Sequence, residues 1–196
     1  MWNQRYATDE FVYGTEPNTF LAQEAWRMPK GGRVLSLAEG EGRNAVFLAK
    51  QGFRVTAVDA SEVGLRKAAE LAATHGVPLP MAVMDLADLD LGENRWDGVV
   101  SIFAHVPPEV RKPLHRRVVQ ALKPGGVLIL EAYTPEQVGR GTGSPPHAHL
   151  MMTAQDLREE LAGLDFAVVR ETERPVVEGR YHTGPGAVVQ VVGRKP

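Results

Sequence analysis

The sequence predicts an α/β fold: a doubly wound parallel sheet with helices on both faces. Three observations predict it. Strand-like and helix-like segments alternate from residue 34 to residue 161. The strand-like runs, such as Val34-Leu35-Ser36-Leu37 and Val127-Leu128-Ile129-Leu130, are almost continuously apolar, the pattern of strands covered on both faces. The chain ends in two β-rich runs, Phe166 to Val177 and Ala187 to Val192, with only a loop between them. A parallel pair needs a crossover of about a dozen residues or more, so these two form an antiparallel hairpin at one sheet edge.

Each element has a local reason. Lys30-Gly31-Gly32 turns into the first strand, Val34 to Leu37. A helix from Asn44 to Gln51 follows, and Gly52 stands where a helix ends. Arg54 to Val58 reads as a buried strand ending at Asp59. Ser61 caps a helix to about His75, which Gly76 and Pro78 stop. Met81 to Met84 is a third strand, ending at Asp85, and Gly98 to Phe103 is a fourth. Pro107-Pro108-Glu109 opens a helix to Leu122, proline being suited to a first turn. Val127 to Leu130 is the fifth strand, Thr134 to Met152 is irregular, and Thr153 with Asp156 caps a helix from Ala154 to Leu161.

Composition narrows the functions. A chain of 196 residues fits one domain, given roughly 150 residues per domain. Within it, residues 1–30 form an N-terminal lid or helix and residues 134–152 an acceptor-side loop. Lys plus Arg is 22 against 24 Asp plus Glu, a net charge of -2, so there is no basic excess to hold a nucleic-acid backbone. With no cysteine, disulfides, thiolate metal sites and a Cys nucleophile are excluded, as suits a cytoplasmic location. The polar start lacks the apolar stretch of a secretory signal, and no apolar run reaches membrane-spanning length. The expected partner is a small molecule, with no nucleic acid, no membrane and no metal, in a monomer or homodimer.

Gly40-x-Gly42 falls between the first strand and its helix, where glycine permits a tight turn and close approach of a ligand. Asp59 follows at a spacing near the roughly 20 residues that place a carboxylate on a ribose. Asp59 and Asp85 both end strands, so both face the carboxyl edge, where such sheets bind ligands. Gly40 to Ala45 also satisfies the dinucleotide pattern, which keeps a nicotinamide-dependent oxidoreductase as an alternative. Against it, the chain is short, no tyrosine has a lysine four residues on, and the chain ends in the hairpin.

With these residues in place the sequence resembles the class I S-adenosylmethionine-dependent methyltransferases, and within them the small tellurite-resistance and thiopurine-type branch. The resemblance is carried by Gly40-Glu41-Gly42-Arg43-Asn44-Ala45-Val46-Phe47-Leu48-Ala49 with Gly52, Val58-Asp59, Leu122-Lys123-Pro124-Gly125-Gly126, and the opening Trp2-Asn3-x-Arg5-Tyr6 with Tyr13-Gly14-x-x-Pro17-Asn18. It implies a Rossmann-like, seven-stranded sheet of order 3-2-1-4-5-7-6, strand 7 antiparallel, and S-adenosyl-L-methionine as cofactor. By the same resemblance, Gly40 and Gly42 face its methionine part and Asp59, with Ala60 beside it, holds the ribose. Asp85 and Leu86 flank the adenine, Ser101 offers a backbone carbonyl, and Tyr13 closes over the site. Two positions depart from the family pattern: Ser36 replaces its usual aspartate, and Ala38-Glu39 its Gly-Cys. Glu39 is therefore expected to bring a carboxylate to the cofactor's cationic end, and Arg43 to pair with its carboxylate.

On the acceptor side His105, just after the fourth strand, is the candidate catalytic base, since histidine titrates near neutrality. A thiolate, selenide or tellurium oxyanion would need no base. Tyr133, Arg140, His147 and His149 are candidate pocket residues, and the aromatic N-terminus (Trp2, Tyr6, Phe11, Tyr13) a candidate lid. Arg111, Lys112, His115, Arg116 and Arg117 read as a solvated basic helix face. A non-catalytic S-adenosylmethionine-binding protein is the remaining alternative, on the strength of the altered first motif.

Overall fold

In the computed structural model, which describes residues 2–196, strands and helices alternate as predicted. β1 (Arg33–Leu37), β2 (Arg54–Asp59), β3 (Met81–Val83), β4 (Trp96–Ile102) and β5 (Leu122–Tyr133) are parallel. β6 (Asp165–Val177) and β7 (Thr183–Arg194) close the sheet. The order is β3-β2-β1-β4-β5-β7-β6. β7 runs antiparallel to both its neighbours, so the expected hairpin is present, inserted with β7 inward and β6 on the edge.

The helices are α1 (Trp2–Tyr6), α2 (Thr19–Glu24), α3 (Arg43–Lys50), α4 (Glu62–Thr74), α5 (Pro108–Ala121) and α6 (Ala154–Glu160). The predicted caps form. Ser61 accepts from the Gly64 amide at 3.1 Å, and Thr153 and Asp156 make a reciprocal capping box. Consecutive strand residues point to opposite faces, and both faces are covered. Leu35, Leu37, Val99 and Leu128 pack with Val118 of α5 and Leu157 of α6. Val34, Val100 and Ile129 pack with Phe20 of α2, Leu48 of α3 and Ala68 of α4. That double burial is why the strands lack a polar alternation.

Register brings the strand ends together: Leu37 of β1 pairs with Val58 and Ser101, and Ser101 with Leu130. The residues just beyond them line one edge. Among the described residues no helix is long and apolar enough to cross a membrane.

One expectation is corrected. The basic stretch of α5 is a solvated face only at Lys112 and Arg116, while Arg111, His115 and Arg117 turn inward. Arg111 forks onto Glu160 of α6, with its Nη2 2.8 Å from the carboxylate, and His115 lies 2.7 Å from the same group. Arg117 donates to the Leu86 and Leu89 carbonyls. The cause is the late helix α6, whose buried Glu160 must be neutralised. These partners hold the Glu160 carboxyl down at about 2 against its burial.

Candidate active site at the carboxyl edge

The turn after β1 is built around two glycines and a carboxylate. Gly40 and Gly42 have φ of +64° and +92°, where a side chain is strained. A Cβ on Gly42 would also stand 2.8 Å from the Ala68 Cα of α4. Ala38, where the family pattern has glycine, takes the same left-handed region at φ +49°, at a cost of about 1 kcal/mol.

Gly42 sits at the N-cap of α3 with no side chain to cap it. Glu39 does so instead, its Oε1 accepting from the Asn44 and Ala45 amides at 3.0 and 2.9 Å, while Ser36 donates its hydroxyl to Oε2. The carboxylate absent at Ser36 is thus present from Glu39 at the same turn, directed inward onto the first-turn amides of α3, where a negative charge is favoured. Burial nevertheless pushes the Glu39 carboxyl up to about 7. Its folded value exceeds the usual 4.5, so the native state binds the proton more readily than the unfolded chain. This contribution to stability falls as pH rises through that window, by up to about 3 kcal/mol. Glu39→Gln keeps the shape and the amide acceptor, and should flatten the pH dependence of the denaturation midpoint between pH 5 and 7. An unchanged slope would place the titrating group elsewhere.

Asp59, at the end of β2, accepts from the Gly40 amide at 2.8 Å and, through its other oxygen, from the Ser61 amide at 2.7 Å. A carboxylate has about four lone-pair sites, so about two remain for a ligand. Burial raises its pKa while the two amides oppose the rise. Asp85 is exposed after β3 and accepts from the Ala87 amide at 2.9 Å. Leu86 and Ser101 are buried and Ala60 is exposed. A strand-end carboxylate with free lone pairs, beside a glycine that carries no side chain of its own, fits a ribose and the chain attached to it.

The N-terminal segment lies across this edge. A Cβ on Gly40 would meet the Tyr6 hydroxyl at 2.6 Å, so the phenol stands directly over that glycine. Burial, and then the Asp59 charge, raise the pKa of Tyr6. Glu41 fastens the segment: its carboxylate accepts from the Val12 amide at 2.9 Å and pairs with Lys67 of α4 at 2.5 Å. Tyr13 packs against Tyr6, and its hydroxyl accepts from Arg5 at 2.9 Å.

Arg43 is committed elsewhere. Its guanidinium meets Glu178 at 2.6 Å in a buried pair. Glu178 precedes β7 and also binds Arg174 at 2.8 Å and Asn18 at 3.1 Å. Arg174 reaches on to Glu131 of β5.

His105 also departs from its expected use. Its Nδ1 lies 3.1 Å from the Phe103 carbonyl, and its Nε2 accepts from the Tyr133 amide at 3.0 Å. Both ring nitrogens serve the backbone, and burial pushes its pKa down to about 3. That leaves no nitrogen for an acceptor's proton. His147 and His149 stack at 5.5 Å on an exposed turn, and no group of three metal-ligating side chains occurs among the described residues.

Sequence reading missed Glu41, Lys67, Glu131, Arg174, Glu178 and His182. Only Glu131 carried a signal, a charge inside the otherwise apolar β5.

Residues 34–126 match the methyltransferase domain family. Two curated relatives are similar over part of the chain. A tRNA (uracil(54)-C(5))-methyltransferase of Pyrococcus horikoshii is 29% identical over 62% of this chain and 31% of its own length. An uncharacterised methyltransferase of Synechocystis is 34% identical over 61% of this chain and 55% of its own. The chain thus spans between a third and about half the length of these relatives. The crystal structure of TehB from Haemophilus influenzae superposes with a TM-score of 0.76 at 18% identity, over 100% of this chain and 66% of that one. Residues 34–126 are thus similar to a methyltransferase domain, and the strand order of the whole sheet is the one that the resemblance to class I S-adenosylmethionine-dependent methyltransferases implies.

Proposed function

We propose that the protein transfers the methyl group of S-adenosyl-L-methionine to a small-molecule acceptor in the cytoplasm. The observation that carries this reading is Asp59: a strand-end carboxylate bonded to the Gly40 amide with acceptor sites to spare. When bound, the sulfonium supplies an already activated methyl carbon, and the reaction is an in-line displacement. The chain's part is to bind and align. Asp59 holds the ribose, Gly40 lets the ligand approach the backbone, and the Tyr6 and Tyr13 rings shut water from the edge, so that orientation supplies much of the rate.

A small acceptor suits a chain with net charge -2 in which Arg111 and Arg117 of α5 are spent on internal partners. The Pyrococcus relative's name points to tRNA, but that match spans 31% of the relative. Among small acceptors, a thiol or chalcogen anion fits His105, whose nitrogens are both engaged. Such acceptors arrive with a reactive lone pair and need no base. This is also the point of likeness to the tellurite-resistance branch.

Calorimetry with S-adenosylhomocysteine, followed by transfer of labelled methyl to thiols, inorganic selenide and tRNA, tests the reading. Binding of the cofactor product with transfer to a small acceptor is expected. Binding of NADH in its place would favour the oxidoreductase alternative, and transfer to tRNA alone would overturn the small-molecule assignment.

A further inference from the structure

The turn that follows β3 hangs from the shortest strand of the sheet. β3 has three residues and lies on the edge, beside β2. Its ladder continues for one bond more, from the Met84 amide to the Asp59 carbonyl at 2.9 Å, and the next strand begins only at Trp96. Asp85 and Leu86, the pair expected against the adenine, stand in that gap. Within the turn, Asp85 accepts from the Ala87 amide through Oδ1 at 2.9 Å and from the Asp88 amide through its carbonyl at 3.1 Å.

A further tie comes from another layer of the fold. Arg117 of α5 donates from Nη1 to the Leu89 carbonyl at 2.9 Å and from Nη2 to the Leu86 carbonyl at 3.1 Å, with the Ala87 carbonyl 3.4 Å from Nη1. Bonds from a charged donor are the strong kind. Its Nε is buried without a partner, a cost that buried donors rarely bear. The guanidinium is thus aimed at one turn, and its planar fork fixes that aim as a lysine ammonium would not. The consequence is local. The peptide joining Leu86 to Ala87 is held at both ends, its carbonyl by Arg117 and its N–H by Asp85. A peptide unit is rigid, so the Leu86 amide next to it has little freedom to turn. That amide and the Asp85 Oδ2 have no hydrogen-bond partner among the described residues.

We propose, building on the cofactor reading, that Arg117 is a positioning residue for base recognition: it fixes the Asp85–Leu86 turn so that the free Leu86 N–H and the free Asp85 oxygen are presented together, as a donor beside an acceptor. The purine edge that matches is that of adenine, an N1 acceptor beside a 6-amino donor. Hypoxanthine presents the reverse, an N1–H donor beside a 6-oxo acceptor. On a fixed turn it would set the carboxylate oxygen against the oxo oxygen and leave the N–H groups unpaired, which is how a hydrogen-bonding site rejects an analogue. A turn free to rotate loses that discrimination. Arg117 acts through the turn, from a helix on the far side of it, and base selectivity is the property it governs.

The test compares S-adenosylhomocysteine with S-inosylhomocysteine by calorimetry on the full chain. The wild type should prefer the adenine compound by about 100-fold or more. Arg117→Met keeps the apolar stem and removes the fork. It should bind the adenine compound about tenfold more weakly and the inosine compound within about threefold of the wild type, so that the preference falls. Arg117→Lys keeps the charge, should lie between the two, and decides by the same ratio if the methionine variant fails to fold. Arg116→Ala, exposed on the same helix, should change neither affinity. In the ligand-free chain, hydrogen exchange at the Ala87 and Asp88 amides should quicken about tenfold in Arg117→Met, with the β4 amides unmoved. A wild type without preference, both compounds weakened in equal proportion, or unaltered exchange leaves Arg117 a structural part alone and overturns the proposal. Binding of neither compound to the wild type would instead overturn the cofactor reading, and this role with it.

Discussion

Asp59→Ala should lower the affinity for S-adenosylhomocysteine by about 100-fold or more, with only a modest change in thermal stability. Hydrogen bonds to a charged group contribute about 1.5–3 kcal/mol each, and two ribose hydroxyls on one carboxylate reach that loss together. The substitution also frees the Gly40 and Ser61 amides now held at 2.8 and 2.7 Å. Both lie on the ligand-facing edge, where water can replace the carboxylate, so the stability cost should stay near 1–2 kcal/mol. Asp59→Asn keeps one acceptor and turns the other into a donor, and should sit between wild type and alanine. Calorimetric titration paired with a melting curve separates the two effects. An alanine variant that binds as tightly as the wild type would remove Asp59 from the site.

Glu131→Ala should destabilise the fold by about 3–5 kcal/mol, the usual result of removing one partner from a buried charge cluster, and lower Tm by roughly 10 °C. Glu131 is fully buried in β5. It accepts from Asn18 at 2.8 Å and Gln190 at 2.6 Å, and pairs with Arg174. Its loss strands the Gln190 amide and leaves Asn18 and Arg174 with Glu178 as their remaining carboxylate. The damage should spread to the site, since Glu178 also anchors Arg43 at the start of α3. Glu131→Gln, which keeps the shape, should lose less. A denaturation midpoint unmoved by the alanine substitution would show that the cluster is energetically idle.

How much of this could be read from the chain differs by element. β1 to β5 and α3 to α6 were legible because their signals are local: apolar runs, the Ser61 and Thr153 caps, the prolines that open α5, and the glycines that end α3 and α4. The hairpin was legible from the absence of a crossover. Its insertion, with β7 beside β5, followed from the family resemblance and not from periodicity. The glycine turn and Asp59 were legible from spacing.

His105 shows where such reading stops. Its position after β4 marked it as a candidate base, but only the neighbouring strand shows that the Tyr133 amide occupies its Nε2. The basic stretch of α5 shows the same limit, because Glu160 lies on another helix.

Alone, then, the sequence decides the class of fold, the order of its elements and the carboxyl edge where a nucleoside-bearing ligand would bind, because periodicity, capping and glycine turns act over a few residues. The tertiary structure alone decides which polar groups are spent and which are free. Glu39 caps α3, Arg43 is paired with Glu178, His105 is bound to backbone, and Tyr133 and His182 are left without partners. The reason is physical. A buried charge or polar group must find a partner wherever the fold supplies one, and here the partners lie as much as 160 residues away, as for Asn18 and Glu178.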